Sequence, residues 1–305
     1  MIEPLLEGMV GTAEDRCEPL LRQGNTNCGG CGMSVILNFL SHAVGQRKVQ
    51  MVIPACCGIV TPGKFPDSAY GAPVVAATFA SAAAIGTGLA RVAKQNGDDT
   101  RVICFAGDGG TYDIGMATIS AAAERNEDIL YICYDNEIYG NTGGQRSSAT
   151  PMGASTTTTP TGKVIGKKDM VSIMAAHGIP YVASISLGHP EDTMRKLKLA
   201  LDMEGFRFLH VLAPCPTGWK SEPAEGIELV RLAIRAGLFP IYEVFDGYRT
   251  RINIEPEMSD ADLERYLAGQ GRFRKGDAKL ADLRAAIDRH WKGLRARAAH
   301  GECDD

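Results

Sequence analysis

Two short segments of this 305-residue chain combine oxygen ligands with glycines. The first is Gly-Asp-Gly-Gly at 107–110, and the second is Asp-Asn-Glu-Ile at 135–138. A carboxylate, an Asn side-chain oxygen and a free backbone carbonyl are hard ligands that suit Mg²⁺. Glycines let the backbone close on a phosphate, and the start of a helix adds a favourable dipole. The two segments therefore predict an anchor for Mg²⁺ and a diphosphate, provided that they lie together.

The elements around these segments indicate that they do. Each segment follows a short apolar run, at 102–106 and at 129–134, and a helical pattern at 113–125 separates the two runs. This order is that of a parallel strand–helix–strand unit. Because the carboxyl ends of neighbouring parallel strands face one crevice, we expect Asp108 and Asn136 to share a site.

Cysteines in three other loops form a second candidate site. Each lies in a turn next to an apolar or helical pattern, and the candidates are Cys28, Cys31, Cys56, Cys57 and Cys215. Cys215 stands between two prolines, which stiffen its turn and remove regular backbone pairing. Four thiolates from such loops could hold a [4Fe–4S] cluster or a tetrahedral zinc ion. The spacing alone leaves both metals open.

The remaining cysteines have plainer interpretations. Cys104 and Cys133 lie within apolar strand patterns, so we expect them to be core residues. Cys17 and Cys303 lie in polar terminal segments, and no role is assigned to them. The first residues contain neither a basic segment nor an apolar signal core. We therefore expect a cytoplasmic protein whose thiols are ligands or core groups rather than disulfides.

Composition excludes several classes of protein. A 45% apolar content supports a globular chain with one large domain or two modest ones. The net charge of −4 provides no basic surface for nucleic acid. The longest apolar region, 73–92, is interrupted by glycines and hydroxyl residues, and it predicts a buried helix rather than a membrane span. Charged helical patterns at 259–269 and 277–300 predict an extension that is solvated or binds a partner.

The motifs together resemble a known family over residues 25–247. Gly-Asp-Gly followed by Asn matches the thiamine diphosphate motif. With Cys-Gly-Gly-Cys-Gly at 28–32, Asn-Thr-Gly-Gly-Gln at 141–145 and Ala-Pro-Cys-Pro-Thr-Gly-Trp at 213–219, the chain resembles the β subunit of a 2-oxoacid:ferredoxin oxidoreductase, most of all the pyruvate branch. The resemblance implies an α/β, parallel-sheet thiamine diphosphate-binding fold of the diphosphate type over 1–247. A charged, mostly helical extension would occupy 248–305.

The resemblance also implies a role for each matching residue. The [4Fe–4S] ligands would be Cys28, Cys31, Cys57 and Cys215, with Cys56 as an alternative to Cys57. The ligands of Mg²⁺ would be Asp108, the Asn136 side chain and the Ile138 carbonyl. Further cofactor contacts would come from Gly58, Gly107, Gly109, Gly110 and Asn141. Asn141 and Thr142 would be the catalytic residues, beside the thiazolium and the substrate.

The implied reaction is a coenzyme A-dependent oxidative decarboxylation of a 2-oxoacid. This chemistry releases electrons, which a cluster accepts singly, whereas zinc has no redox role. A non-redox thiamine enzyme and a zinc-stabilised binding subunit are the alternative classes, and neither needs these cysteines for electron transfer. Pyruvate is the expected substrate. Met152 stands where the pyruvate branch often has an aromatic residue, which leaves phenylglyoxylate, oxalate or a branched-chain oxoacid open.

Two absences in the sequence imply partner subunits. We find no candidate for the glutamate that activates thiamine, so the resemblance implies an α subunit that supplies it and much of the substrate pocket. The chain also has no C-x₂-C-x₂-C-x₃-C-P run, which places further clusters in a ferredoxin-like subunit or domain. Ferredoxin or a similar carrier would be the final electron acceptor.

Overall fold

The computed structural model describes residues 18–63, 67–273 and 280–301. Its eight described strands form one sheet in the order β2-β1-β3-β4-β6-β5-β7-β8. The strands are β1 (Val49–Pro54), β2 (Val74–Ala77), β3 (Arg101–Gly107), β4 (Ile129–Asp135), β5 (Tyr181–Ser186), β6 (Phe206–Leu212), β7 (Ile241–Phe245) and β8 (Arg249–Ile254).

The sheet is mostly parallel, which confirms the expected α/β class. All pairings among β1 to β6 are parallel, including β3 with β4 and β4 with β6. The last two strands depart from the parallel expectation, because β7 runs antiparallel to β5, and β8 runs antiparallel to β7. A turn at 246–248 joins β7 to β8, and so short a connection permits only an antiparallel hairpin.

Helices cover both faces of the sheet. They are α1 (Gly32–Val44), α2 (Cys57–Val60), α3 (Ala82–Gln95), α4 (Met116–Glu124), α5 (Met170–Ala175), α6 (Pro190–Asp202), α7 (Pro216–Trp219), α8 (Gly226–Arg235), α9 (Asp260–Ala268) and α10 (Leu280–Gly301). One core packs α3, α4, α5 and α10 against the sheet, and the other packs α1 and α6 against the opposite face. Successive strand residues alternate between these cores, so Cys104 and Phe105 lie in different ones.

Most of the predicted elements are confirmed, and one is wrong. Cys104 and Cys133 are fully buried core residues, as expected. The single buried helix predicted over 73–92 is instead strand β2 followed by helix α3, because the β-branched pair Val74 and Val75 extends the sheet edge. The helix expected at 113–125 begins later, since residues Gly109–Asp113 form a π-helical turn. None of the described helices has the length and apolar character that a membrane crossing requires.

The C-terminal part stays in contact with the sheet. The boundary expected after residue 247 falls in the hairpin turn, so β8 extends the same sheet. Helix α10 packs against β8, and α9 packs against α8. The division of the chain at this point stays a prediction. Cys17 and Cys303, to which no role was assigned, lie outside the described residues, as do residues 274–279 between the two charged helical patterns and at the start of the second.

The packing of α3 on β3 gives a test of the core. A methyl group at Gly86 would lie 2.6 Å from the Cys104 sulfur, whereas one at Gly88 of the same helix would meet nothing within 4 Å. We expect Gly86→Ala to lower the free energy of unfolding by about 1–3 kcal/mol through overpacking. The matched control Gly88→Ala should raise it by roughly 0.5–1 kcal/mol, because alanine favours the helix. Urea denaturation measures both, and equal effects would contradict this packing.

Candidate cofactor site

The loops after β3 and β4 lie side by side at the carboxyl edge of the sheet. The two strands pair in parallel up to Gly107 and Tyr134, so the segments that follow them meet as predicted. They line a cleft with about 370 Å³ of space, part of it open to solvent. Its walls are formed by Ala55, Cys56, Cys57, Phe79, Gly107, Asp108, Gly109, Gly110, Tyr134, Asn136, Ile138, Tyr139, Gly140, Asn141 and Thr142.

Asp108 is a buried carboxylate at the floor of this cleft. It is 2% exposed, and Ser147 Oγ donates a hydrogen bond of 2.5 Å to its Oδ2. Burial raises the pKa of Asp108 well above its usual value, and the nearby charge of Asp135 raises it further. A nearby divalent cation would offset both the burial of Asp108 and its repulsion by Asp135, since it favours the ionised carboxylate. Together with the Asn136 amide and the Ile138 carbonyl, the donor set fits Mg²⁺.

Glycines keep the wall of the cleft free of side chains. A Cβ atom at Gly109 would lie 2.3 Å from the Tyr139 ring, and one at Gly115 would lie 1.9 Å from the Gly110 carbonyl oxygen. Tyr139 is fixed in turn, because its hydroxyl donates a hydrogen bond of 2.8 Å to Asp113. The backbone at 107–110 therefore forms a cradle that only glycine permits at position 109, and this shape fits a diphosphate.

The structure also brings the cysteine loops together. The Gly32 N–H donates 2.9 Å to the carbonyl of Pro214, so the start of α1 is fixed to the Cys215 loop. Burial is the largest cause that raises the pKa of the Cys57 thiol, and with the charges of the neighbouring cysteines it brings this pKa to about 12; in order of effect, those cysteines are Cys215, Cys56, Cys31 and Cys28. Three loops that are distant in sequence thus contribute thiols to one region, and four thiols fit an iron–sulfur cluster.

Cys56 and Cys57 have different surroundings. The Cys56 thiol donates a hydrogen bond of 2.9 Å to the Pro54 carbonyl, within its own turn. Burial raises its pKa, and a hydrogen bond with Tyr134 opposes that rise. Cys57 interacts with all four of the other cysteines in these loops. Across the described ranges, however, no three His, Cys, Asp or Glu side chains converge as they stand on a position for a metal ion.

The other expected residues are found around the cleft rather than all in its wall. Asn141 and Thr142 are exposed at its mouth, where Thr142 bonds to Gln145 at 2.5 Å. Gly58 is buried beneath it, with its carbonyl accepting 2.6 Å from the Tyr70 hydroxyl. Met152 lines a different cavity under α10, together with groups from β6 and α5. Its side chain therefore gives no structural argument about a substrate in the cofactor cleft.

A buried charge cluster supports the second loop. Asp135 ends β4 fully buried, and its carboxylate contacts Lys167 Nζ at 2.5 Å, His210 Nε2 at 2.7 Å and the Tyr112 hydroxyl at 2.9 Å. Lys167 also contacts Glu137 at 3.0 Å. Burial alone would raise the pKa of Asp135, but Lys167 and His210 hold it below its usual value. The same carboxylates raise the pKa of Lys167, although burial opposes them.

Sequence reasoning missed this cluster and the aromatic walls of the cleft. The available signal was that Asp135 and Glu137 flank Asn136 at the end of a buried strand, where carboxylates need a cation. The sequence did not indicate which cation pairs with these carboxylates, because Lys167 lies in a polar loop 30 residues from Glu137. Phe79 was hidden in the region assigned to a helix, and its ring meets Tyr139 edge-on at 5.8 Å.

Comparison with known proteins agrees with this geometry. The model of a protein family described as "Thiamine pyrophosphate enzyme, C-terminal TPP binding domain" matches residues 43–211. That range contains both loops of the cleft and Cys57, whereas Cys28, Cys31 and Cys215 lie outside it.

Curated relatives cover nearly the whole chain. It is 43% identical over 263 residues to the pyruvate synthase subunit PorB of Methanothermobacter thermautotrophicus, covering 84% of this chain and 90% of that protein. It is also 43% identical over 290 residues to the ketoisovalerate oxidoreductase subunit VorB of Pyrococcus abyssi, covering 90% and 92%. A solved 2-oxoglutarate:ferredoxin oxidoreductase from Magnetococcus marinus has the same fold, with a TM-score of 0.60 at 23% identity, covering 84% of this chain and 92% of that one.

The charge cluster yields a prediction about stability. Lys167→Met leaves Asp135 and Glu137 without their shared cation, which should cost about 3–5 kcal/mol of unfolding free energy near neutral pH. Because the folded-state pKa of Asp135 is lowered, its ionised form stabilises the protein above about pH 4, and this contribution is lost as the pH falls further. The difference between variant and wild type should therefore shrink in acid.

Denaturation at a series of pH values measures this effect. Lys198→Met, on the exposed face of α6, is the matched control and should change stability little. A Lys167→Met variant that is no less stable than this control would contradict the assigned role.

Proposed function

This chain belongs to the family of thiamine diphosphate-binding β subunits of 2-oxoacid:ferredoxin oxidoreductases, and we propose that its substrate is pyruvate. It acts with partner subunits in the coenzyme A-dependent oxidative decarboxylation of a 2-oxoacid. The observation that carries the proposal is the meeting of two sets of loops at one cleft. The Asp108 and Asn136 loops form its floor, and the Cys57 turn forms part of its wall.

We assign the metal and diphosphate to the floor of this cleft. Asp108, the Asn136 side chain and the Ile138 carbonyl would hold Mg²⁺, and the diphosphate would lie against the backbone of Gly107, Gly109 and Gly110. The support is chemical, because a buried carboxylate with a raised pKa gains most from a nearby cation. Bound thiamine diphosphate supplies addition to the 2-oxo carbon and a sink for the charge left by loss of CO₂.

The residues of this chain would orient the reactants and limit access of water. Asn141 and Thr142 at the mouth of the cleft offer amide and hydroxyl donors to the substrate carboxylate or carbonyl. The rings of Phe79 and Tyr139 cover the glycine cradle from the side, which excludes water from the diphosphate. Gly58, which follows Cys57 in the same short helix, would let the backbone approach the cofactor closely.

We further propose that Cys28, Cys31, Cys57 and Cys215 ligate a [4Fe–4S] cluster that receives the electrons. The interaction of Cys57 with the other three thiols supports this set. The bond from Cys56 to the Pro54 carbonyl supports Cys57 over its neighbour as the third ligand. Cys57 also borders the cleft, so a cluster held there would be close to the cofactor.

A branched-chain oxoacid is the second candidate substrate. The relatives named for ketoisovalerate are as similar to this chain as those named for pyruvate, at 43% identity. Phenylglyoxylate and oxalate rested on Met152, whose side chain lines another cavity, and they have no support from the cleft.

The enzyme would be a cytoplasmic complex. An α subunit would supply the glutamate that activates thiamine, a ferredoxin-like subunit would hold further clusters, and ferredoxin would accept the electrons. Exposed apolar side chains support an interface: Val60, Ile114, Val164 and Ile165 are 53–84% exposed. The seven described cysteines are all free, which fits a reducing compartment.

Viologen reduction tests the proposed reaction. The complex, purified anaerobically with its accompanying subunits, should reduce viologen with pyruvate and coenzyme A faster than with ketoisovalerate, phenylglyoxylate or oxalate.

The variant Asp108→Asn should abolish Mg²⁺-dependent thiamine diphosphate binding, because the amide carries no charge to offset the metal. Retained binding in that variant would contradict the assigned site, and preference for another oxoacid would overturn only the substrate.

Paired cysteine variants test the cluster. Cys57→Ala should remove one cluster's worth of iron and acid-labile sulfide from the purified complex, together with its electron paramagnetic resonance signal. Cys56→Ala, the matched control one residue away, should retain all three. The reverse result would exchange the roles of the two cysteines, and loss in neither variant would remove this turn from the ligand set.

A further inference from the structure

Residues 269–273, which follow α9, return to the cofactor site and are named here the C-terminal strap. Its backbone is fixed at three points: Gly271 N–H donates 3.0 Å to the Lys220 carbonyl, Arg272 N–H donates 3.4 Å to the Trp219 carbonyl, and the Arg272 carbonyl accepts 2.8 Å from Ser155 N–H. The strap therefore rests on the loop that carries Cys215 and on the loop that follows the cleft.

The strap places one arginine side chain inside the protein. Arg272 is 1% exposed, and its Nη2 lies 2.5 Å from Glu137 Oε2. Its guanidinium lies 4.6 Å from the centre of the Trp219 ring, a stacked position, and its Nε donates 2.8 Å to Gln270. A planar guanidinium suits this combination of stacking and ion pairing, which an ammonium group does not reproduce.

Glu137, the partner of Arg272, has an unusual backbone. Its φ is 65°, in the left-handed region that a residue with a side chain seldom adopts. Four contacts hold it there: Arg272 and Lys167 on its carboxylate, a hydrogen bond of 2.7 Å from Thr150 Oγ1 to its carbonyl, and one of 2.9 Å from its own N–H to Asp135 Oδ1. Glu137 stands between Asn136 and Ile138, so its conformation determines the directions of both.

Trp219 joins the same turn to the cysteine loop. Its indole N–H donates 2.9 Å to the Asn136 carbonyl, and its backbone N–H donates 2.7 Å to the Cys215 carbonyl. Arg272 covers the indole ring that makes this connection. The strap thus contacts both loops through one residue, from a position 135 residues beyond Glu137.

We propose that Arg272 is a positioning residue for the metal: by holding Glu137 in its left-handed conformation, it aims the Asn136 side chain and the Ile138 carbonyl at Mg²⁺. The inference rests on the proposed function, since it takes these two groups as metal ligands. Without the guanidinium, the Glu137 carboxylate keeps Lys167 alone, and the backbone bonds to Thr150 and Asp135 must hold the left-handed conformation with less support from the side chain.

The expected consequence is weaker cofactor binding. Partners that orient metal ligands typically change metal affinity by about 10–100-fold when they are removed. We expect Arg272→Gln to raise the dissociation constant of thiamine diphosphate with Mg²⁺ by that factor. Turnover at saturating cofactor should fall far less than the affinity does, because Arg272 is not among the residues that line the cleft.

A double-mutant cycle tests whether Arg272 acts through Glu137. Complexes purified with their partner subunits are freed of cofactor with a chelator, and labelled thiamine diphosphate is bound by equilibrium dialysis at several Mg²⁺ concentrations. Glu137→Gln should weaken binding like Arg272→Gln, and in the double variant the arginine change should add less than about twofold. Arg265→Gln, an arginine of α9 paired with Asp262, is the matched control and should leave binding unchanged.

Three results would overturn the proposal: unchanged affinity in Arg272→Gln, a full effect of Arg272→Gln that persists without the Glu137 carboxylate, or an equal effect of Arg265→Gln. Should Arg272→Gln fail to assemble, Arg272→Lys keeps the charge without the stacked fork, and unchanged affinity in that variant would overturn it equally. The variant Asp108→Asn separates a failure of this inference from a failure of the proposed function. If it abolishes binding while Arg272→Gln does not, the inference alone fails, and if it too binds normally, the proposed function fails.

Discussion

The structure depends on how carboxylates are neutralised where β4 ends. Asp135 and Glu137 are both buried there, and Lys167 lies between them within 3.0 Å of each. Arg272 supplies a second positive charge to Glu137. Buried charges are tolerated only when they are paired, so these two cations permit an acidic turn inside the protein. The turn then presents Asn136 and Ile138 to the cleft, beside an Asp108 whose charge is still unfavourable. A divalent cation beside Asp108 would neutralise this remaining negative charge.

The sheet converts this local chemistry into a site. Because β3 and β4 are parallel neighbours, the loops that follow them meet at one edge of the sheet although they are far apart in the sequence. The strands are covered by helices on both faces, which makes them long-lived supports for loops that would otherwise be irregular. The cysteine turns use the same edge, after β1 and β6. One sheet edge thus carries the loops proposed for the metal and diphosphate together with a group of thiols.

Much of this arrangement could be predicted from the sequence, and the reasons for the limits are physical. The adjacency of Asp108 and Asn136 followed from apolar runs separated by a helix, since that pattern specifies parallel neighbours. The positions of Cys28, Cys57 and Cys215 in turns made them candidates for one metal site, but the choice of ligand set came from the resemblance to a family, because no local pattern states which loops meet. Strand β2 was missed because an edge strand of four residues carries too few positions to show a period of two. The ion pair of Arg272 with Glu137 was beyond sequence reasoning, as any arginine could have served.

The reach of the C-terminal strap has a consequence for biosynthesis. Chain elongation releases the Asp108 loop, the Asn136 turn and all four candidate cluster ligands well before Arg272. A nascent chain therefore carries all the proposed ligands of Mg²⁺ and of the cluster before Glu137 acquires its ion pair with Arg272. If Arg272 acts as proposed, products truncated before it would carry the proposed ligands without this contact to Glu137.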